Sequence, residues 1–503
     1  MTLKKDISRR DLLGTAAATL AASVVPRHVL GGANYIAPSD KLTVGYIGCG
    51  TQGLREMVRL IEDPELQIVA VCDPNKSTTD YVDWSLHGIR DGIRRVLEDP
   101  NWGEGLDGIP GGRDIGQEVV EKYYGKAHAS GTYKGCPSYS DYRELLEKEK
   151  DLDAVKVMTP DHLHATVSIA AMKKGKHVVI HKPIANRVRE ARLTIETARK
   201  TGVSTHLLAW SKRNGYGLAR DWIKGGAIGT LREIHNWSNR PVWPQWTANP
   251  SETPPIPSGF DWDLWLGPVP HRAYHPNFTH AVFRGWYDFG AGSIADMGTY
   301  SLWPLFMSFG FDSVPLSIEA NGTTTCAITD HVSRGVRNDV AFPYSSVVRF
   351  KFPPQGEWPA IDIWWHDGGM KPPLPEELAA ADQELPREGM MFVGDSGKIV
   401  AGFRCESPHI LPERKMIEIT GATQPPKDEV DRRERNWVSA FKNGNEAPGS
   451  FLKASAVTET ILLGGVALRT RKRLVYDSKN MKITNVPEAN QYLTREYRAG
   501  WEL

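Results

Sequence analysis

The chain has 503 residues, enough for two or three domains with ample core. Its 61 lysines and arginines nearly balance 60 aspartates and glutamates, for a formal net charge of +1, so no global field draws it to nucleic acid or to a membrane surface. Five cysteines, Cys49, Cys72, Cys136, Cys326 and Cys405, are widely spaced without any Cys-x-x-Cys or Cys/His cluster, so no metal site is expected.

The first residues stand apart. Lys4, Lys5, Arg9 and Arg10 precede an apolar, alanine-rich stretch, Leu12 to Val25, in the layout of a signal peptide and too short to span a bilayer. Ser8-Arg9-Arg10-Asp11-Leu12-Leu13 resembles the twin-arginine export motif, which serves proteins that fold before they are moved. Through Leu30 the segment holds five basic and two acidic side chains; subtracting its +3 from +1 leaves −2 for the remainder. The expectation is a periplasmic or envelope protein handed folded to the twin-arginine machinery, with 1–38 as signal and linker and no stable membrane span. Folding in a reducing compartment also accounts for the lack of a disulfide framework.

From 39 to 212, strand and helix signals alternate as a parallel βαβ sheet requires. The strands expected are Leu42–Ile47, Leu66–Cys72, Ala154–Thr159, His177–His181 and Val203–Ala209, separated by helices Leu54–Glu62, Tyr142–Lys148, Ala165–Lys174 and Val188–Lys200. The first strand runs into Gly48-Cys49-Gly50-Thr51-Gln52-Gly53, the G-x-G-x-x-G spacing between strand and helix. Gly48 permits the tight turn, Gly50 lets a pyrophosphate approach the backbone, and Gly53 lets helix pack on strand. Free N–H groups at the helix start, from Thr51 and Gln52 onward, favour the phosphates. The second strand ends at Asp73, an acceptor for both adenosine ribose hydroxyls that also repels a 2′-phosphate. NAD is therefore expected rather than NADP, possession of a tight hold on it being open. Residues 75–137 are too long for a plain loop and read as an insertion, with a helix at Tyr81–Glu98 and a glycine-rich run at 103–116.

From 213 to 503 the texture changes. Leu231–Ser238, Leu316–Thr325, Ser346–Phe352 and Ile361–His366 read as strands without regular intervening helices, which predicts an open, mainly antiparallel sheet. Helices at Asp431–Lys442 and Leu452–Thr470 would pack on it, and the last thirty residues would wrap a surface or a neighbouring subunit. An exposed sheet face would favour a homo-oligomer, dimer or tetramer. The fold class is thus α/β: an N-terminal Rossmann dinucleotide-binding domain and a C-terminal α+β domain for substrate and assembly.

Three segments hold chemistry. Lys176 to Pro183 is a buried parallel strand ending in His181-Lys182-Pro183, where open α/β sheets bind ligands; a cis Lys182–Pro183 bond would aim the ammonium into the crevice. Thr159-Pro160-Asp161-His162-Leu163-His164 ends the preceding strand; Asp161 is a candidate N-cap, and His162 or His164 either touches the cofactor or serves the capping loop. Gly290 to Tyr300, continuing to Trp303-Pro304, places Asp296 and Tyr300 at i and i+4 on one helical face after a Ser293 N-cap, with Trp303 one turn on. That helix reads as a substrate wall or as an amphipathic edge.

Together these residues resemble the Gfo/Idh/MocA oxidoreductases from Leu42 to the chain's end. The resemblance implies a Rossmann domain joined to an open-sheet domain, and hydride transfer at a carbon of a sugar, glycoside or cyclitol. Two departures stand out: His181-Lys182-Pro183 replaces the family's usual Glu-Lys-Pro, and Tyr300 replaces its usual acid–base histidine, a change that glucose–fructose oxidoreductase shares. The expected roles are Lys182 polarising the reacting hydroxyl, Tyr300 relaying its proton with a pKa lowered by Lys182, Asp296 bonding substrate, and His181 as competing base. Arg284 and Trp286 join Lys182, Asp296 and Tyr300 as substrate contacts, with His280 and Asp288 as further candidates. Trp243, Trp246, Trp262, Trp265, Trp286, Trp364 and Trp365 offer faces for a pyranose, fewer than half of them in the pocket. The loop Asp367 to Pro386 is a candidate lid. Two rival readings stay open: glycoside cleavage through transient oxidation and elimination, and a non-catalytic, nucleotide-retaining sugar binder.

Overall fold

A computed structural model describes residues 40–126, 135–431 and 436–503. The segment with Arg9 and Arg10, on which the export reading rests, lies outside them.

In the N-terminal half, strands β1 (Leu42–Ile47), β2 (Leu66–Cys72), β3 (Ser138–Tyr139), β4 (Ala154–Val157), β5 (His177–Ile180) and β6 (Thr205–Leu207) pair in the order β3-β2-β1-β4-β5-β6, each pairing parallel. This is the Rossmann order, which reverses between β1 and β4. Helices on both faces bury the strands on both sides, so Val178, Val179 and Ile180 have no exposed surface. The covering helices are α1 (Thr51–Leu60), α2 (Gly88–Leu97), α3 (Arg113–Gly125), α4 (Tyr142–Lys148), α5 (His164–Lys173) and α6 (Val188–Thr201). Ile47 lies opposite Val157, and Val157 opposite Ile180. The chain therefore leaves β1, β4 and β5 side by side, and that register brings Gly48, Thr159 and Lys182 to one crevice.

The C-terminal half is an open nine-stranded sheet of β7 (Leu231–Trp237), β8 (Ser317–Gly322), β9 (Ser346–Phe352), β10 (Ile361–His366), β11 (Gly389–Gly394), β12 (Gly397–Ala401), β13 (His409–Leu411), β14 (Leu474–Asp477) and β15 (Lys482–Ile483). Its order is β13-β12-β11-β7-β10-β9-β8-β14-β15, antiparallel except at β7/β10. Helices α7 (Thr299–Phe309) and α8 (Ser455–Thr470) cover its inner face. The expected strand Leu316–Thr325 ends at Gly322, because the chain then turns into a separate exposed hairpin, Thr325–Thr329 with Val332–Val336.

One apolar core runs through both halves: Val188, Ala191 and Ile195 of α6 share it with Val457, Ile461 and Leu468 of α8. Beside it Arg192 reaches Glu459 through Nε (2.8 Å) and Nη2 (2.5 Å). The C-terminal chain also crosses back, since Trp437, Val438 and Phe441 join the core built on β1, β2 and the insertion. No described helix is long and apolar enough to cross a membrane.

The loop Asp367 to Pro386 differs from its expected role as a lid. Leu378 and Leu385 are buried with Trp237, Met391 and Leu411, and no residue of the loop lines the cleft described below. In the insertion, the helix expected from Tyr81 starts only at Gly88, and the glycine-rich run holds the start of α3. Tyr81 and Trp84 are thereby left free to face the crevice instead.

Candidate active site

A cleft of about 710 Å³ opens along the carboxyl ends of β1, β4 and β5 and is walled by both halves. That is within the size range of small-molecule and cofactor sites, roughly 300–1,000 Å³. Gly48, Gly50, Thr51, Gln52, Gly53, Asp73, Thr159, Pro160, His181, Lys182, Arg284, Asp296 and Tyr300 all line it.

At one end lies the glycine turn. Gly48 has φ +103°, in the left-handed half of backbone space, and a Cβ on Gly53 would fall 2.1 Å from the Gly48 carbonyl oxygen. The first helical bond of α1 runs from the Leu54 N–H to the Gly50 carbonyl, so the N–H groups of 51–53 are the orphan donors of a helix start. Asp73, 8% exposed, accepts the N–H of Cys49 (2.7 Å) and of Asn75 (2.8 Å). Each carboxylate oxygen keeps a second lone pair for a diol. Burial raises the Asp73 carboxyl to about 6, the two backbone bonds and Arg113 opposing it. Thr159 Oγ1 is buried with no hydrogen-bond partner among the described residues, an orphan polar atom at a residue that lines the cleft. Donors for a diphosphate, an acceptor for a ribose and this orphan hydroxyl fit an adenine dinucleotide laid from Asp73 towards Lys182.

At the other end the two halves meet. The Lys182–Pro183 bond is cis, as the sequence expectation has it. The Lys182 ammonium, on a residue 2% exposed, is hydrogen-bonded to Asp296 Oδ1 and lies 5.0 Å from the centre of the Tyr300 ring. The Tyr300 hydroxyl is 3.3 Å from His181 Nε2. Arg284 lies 3.7 Å from Asp296 and donates from Nη1 to Asp161 Oδ1 (3.0 Å). Asp296 stands in a π-helical turn, Ile294–Gly298, that runs into α7. π-helical turns of this kind are frequent at functional sites.

Burial lowers the Lys182 ammonium to about 8, with Asp296 opposing it. Burial also works to raise Asp296, but Lys182 and Arg284 together hold it below its ordinary value. The Tyr300 hydroxyl differs from expectation: burial, then the Asp296 carboxylate, pushes it well above an ordinary phenol. His181 is driven well below its ordinary value by burial and then by Lys182 and Arg284, so its ring is neutral. Of these groups only Lys182 changes charge near neutrality.

Several expected contacts lie elsewhere. His162 faces away from the cleft, with Nε2 on the Trp265 carbonyl (2.8 Å) and its ring against Trp265 and Phe289. His164 puts Nδ1 on the Pro183 carbonyl (2.5 Å) and Nε2 on that of Thr159 (2.8 Å), tying the β4 and β5 turns together. Asp161 caps nothing; one oxygen accepts from Arg284 and the other accepts the Ala291 N–H (3.2 Å). Ser293 does hold the N-cap position of the π-helical turn, but in helical conformation, and its buried hydroxyl makes no capping bond and lies beside the Asp367 carboxyl instead. Trp303 is core, and Trp286, 1% exposed, stacks on Trp246 and donates to Asn277. Asp288 pairs with Arg272 (2.6 Å) outside the cleft. Of the seven tryptophans singled out, Trp243 and Trp265 line the cleft; His280 also does, its ring 4.0 Å from that of Tyr81.

The sequence reading missed Tyr81, Trp84, Arg240, Arg404 and Trp501, all cleft residues. Tyr81 and Trp84 carried a weak signal, an aromatic pair just inside the insertion. Trp501 is delivered by the tail, which Arg495 anchors to Glu190 (2.5 Å). Among the described residues no group of three His, Cys, Asp or Glu is arranged to hold a metal ion.

Two family models match the chain. Residues 117–208 match the Gfo/Idh/MocA oxidoreductase family's NAD-binding Rossmann fold, and residues 232–344 match the same family's C-terminal alpha/beta domain. The matches support the Gfo/Idh/MocA oxidoreductase fold; the first begins beyond the glycine turn, within the insertion. Levoglucosan dehydrogenase of Pseudarthrobacter phenanthrenivorans is 32% identical over 114 residues, 21% of this chain and 29% of that protein. Glycosyl hydrolase family 109 protein 1 of Shewanella sp. (strain MR-4) is 26% identical over 184 residues, 36% of this chain and 32% of that protein. The chain thus matches only about a third of the length of these curated relatives. Among solved structures, the WlbA dehydrogenase from Bordetella pertussis, in complex with NADH and UDP-GlcNAcA, is 14% identical, with 87% of this chain and 99% of that one covered at a TM-score of 0.49.

Proposed function

We propose that the chain is an NAD-dependent oxidoreductase that moves hydride between the nicotinamide and a hydroxyl-bearing carbon of a sugar, glycoside or cyclitol. The observation that carries this reading is the convergence of Lys182, Asp296 and Tyr300 at one end of a cleft whose other end is the glycine turn with Asp73. The dinucleotide, when bound, supplies the hydride acceptor. The rest falls to the chain. Helix α1's first turn and Asp73 hold the diphosphate and ribose, with Asp73 favouring NAD over NADP. Lys182, neutral above about pH 8, takes the proton of the substrate hydroxyl as hydride leaves its carbon. Asp296 accepts a hydrogen bond from Lys182 and steadies its ammonium form afterwards. Tyr300 keeps its own proton and donates it as a hydrogen bond to the same substrate oxygen or to His181.

A glycoside-cleaving outcome is the second reading, favoured by the similarity to the glycosyl hydrolase family 109 protein. Oxidation at one ring carbon acidifies its neighbour, elimination breaks the glycosidic bond, and return of the hydride leaves no net change in the nucleotide. The reading extends to a periplasmic or envelope location reached through the twin-arginine route, and to a homo-oligomer. The export motif and the open C-terminal sheet support these two points.

The test incubates purified protein with sugars plus NAD, and separately with aryl glycosides and no added nucleotide. Reduced nicotinamide in the first supports the dehydrogenase; released aglycone in the second supports cleavage. Neither product, with nucleotide binding intact, would leave only a sugar-binding role.

A further inference from the structure

We infer that the natural substrate is an anionic sugar, and that Arg240 and Arg404 read its negative group. The inference rests on the oxidoreductase reading for the placing of substrate at Lys182, and it adds the substrate's charge.

Besides Arg213, which is paired with Asp428 (2.6 Å) and Glu406 (3.3 Å), four cationic side chains line the substrate end of the cleft: Lys182, Arg240, Arg284 and Arg404. Two carboxylates answer them. Asp296 is taken by Lys182, with Arg284 at 3.7 Å, and Asp161 by Arg284 at 3.0 Å. Glu56, the other carboxylate that Tyr300 feels, lies between Arg59 (3.4 Å) and Lys156 (3.6 Å). Glu406 accepts the backbone N–H of Arg404 (2.6 Å) and pairs with Arg213 (3.3 Å), so it fixes the Arg404 turn. Arg404 spends its guanidinium on the face of Tyr300, 4.4 Å from the ring centre. Both arginines leave the same edge of the sheet. Strands β7 and β12 are each antiparallel to β11 and so run in one direction, and Arg240 and Arg404 follow their last residues. The Arg240 backbone is held by Ser238 Oγ and by the Gly368 N–H. Arg240 also feels the Asp296 carboxylate, behind Lys182 and Arg284, but among the described residues neither it nor Arg404 is joined to a carboxylate by a side-chain hydrogen bond or ion pair. Two such guanidiniums in a partly buried cleft form a receptor for a planar carboxylate or a phosphate. The ligand chemistry they select is a sugar acid or a sugar phosphate.

The NAD-loaded protein is titrated calorimetrically with methyl β-D-glucuronide, glucose 6-phosphate and methyl β-D-glucoside, while hydride transfer is followed separately by reduced-nicotinamide absorbance. The expected result is at least about tenfold tighter binding of one anionic probe than of the glucoside, shrinking as salt rises. Which anion is preferred tells carboxylate from phosphate. R240Q and R404Q should each reduce that preference, and the double variant should abolish it. Equal binding of charged and neutral probes, no binding of either anion, or a preference that survives in the double variant overturns the inference. Anion binding without any hydride transfer would instead refute the oxidoreductase reading and leave this one standing.

Discussion

The carboxylate of Asp296, carried by a π-helical turn of the C-terminal half, holds the ammonium of Lys182, which follows β5, the last strand but one of the N-terminal parallel sheet. Neither half has the pair alone. The contact sets the charge state of the cleft, because Asp296 works against the burial that drives Lys182 down to about 8.

The first prediction concerns pH. The substrate-oxidising kcat/KM should rise with pH through about 8 as Lys182 loses its proton. Asp296→Asn removes the influence that raises the Lys182 pKa, so the rising limb should move to lower pH even as the rate falls. Lys182→Met should remove the limb and cost about 10²–10⁴-fold in rate. A pH–rate profile of the three proteins decides it; an unmoved limb in D296N would assign the proton to another group.

Asp73 makes a second prediction. Its folded-state carboxyl is raised to about 6, so it is charged above that value and neutral below it. NAD affinity should therefore fall as pH drops through about 6, since a protonated carboxyl is a poorer acceptor for a diol. Asp73→Ser should weaken NAD while narrowing the gap to NADP. Tryptophan-fluorescence titrations at several pH values measure both; a flat NAD affinity between pH 5 and pH 7 would separate Asp73 from the ribose.

Glycine 53 is a test of the turn itself. An added Cβ would collide with the Gly48 carbonyl oxygen, a backbone atom that cannot swing aside as a flexible side chain could. Gly53→Ala should cost about 1–3 kcal/mol of stability, as overpacking does, and should weaken nucleotide binding. Calorimetric melting with and without NAD reads the two effects separately.

The C-terminal tail gives a prediction about stability. Arg495 pairs with Glu190, both nearly without exposed side-chain surface at 5% and 1%, and Tyr497 adds a bond to the same carboxylate (3.2 Å). Arg495→Met strands that carboxylate, at a cost of about 3–5 kcal/mol. Arg495→Met combined with Glu190→Gln should recover part of the loss. Denaturant unfolding of the single and double variants tests it.

The parallel sheet was legible because βαβ units write themselves locally: Leu42–Ile47 and Leu66–Cys72 begin and end where their apolar runs do. The glycine turn, Asp73 and Lys182 follow from that sheet, since their places at strand ends fix where they go. The C-terminal sheet was legible in kind and less so in detail. Strands β11 and β12 escaped notice although they form a local hairpin, Gly394 opposite Gly397; only the place of β11 beside β7 depends on a partner far along the chain. Histidines 162 and 164 illustrate a different limit. Their position in the chain places them at the crevice, but each ring nitrogen bond they make is to a carbonyl that only the folded chain supplies. The charge states of Tyr300 and His181 were equally out of reach, being set by depth of burial.

Tyr81 closes on the glycine turn from the insertion: a Cβ at Gly50 would meet its ring at 3.1 Å, and one at Gly111 would meet the ring's other edge at 2.5 Å. Phosphates laid across Gly50 compete with that aromatic ring for the same few ångströms. Swapping one nucleotide for another then requires Tyr81 to give way, whereas chemistry that restores the coenzyme's starting oxidation state in every cycle never has to disturb it.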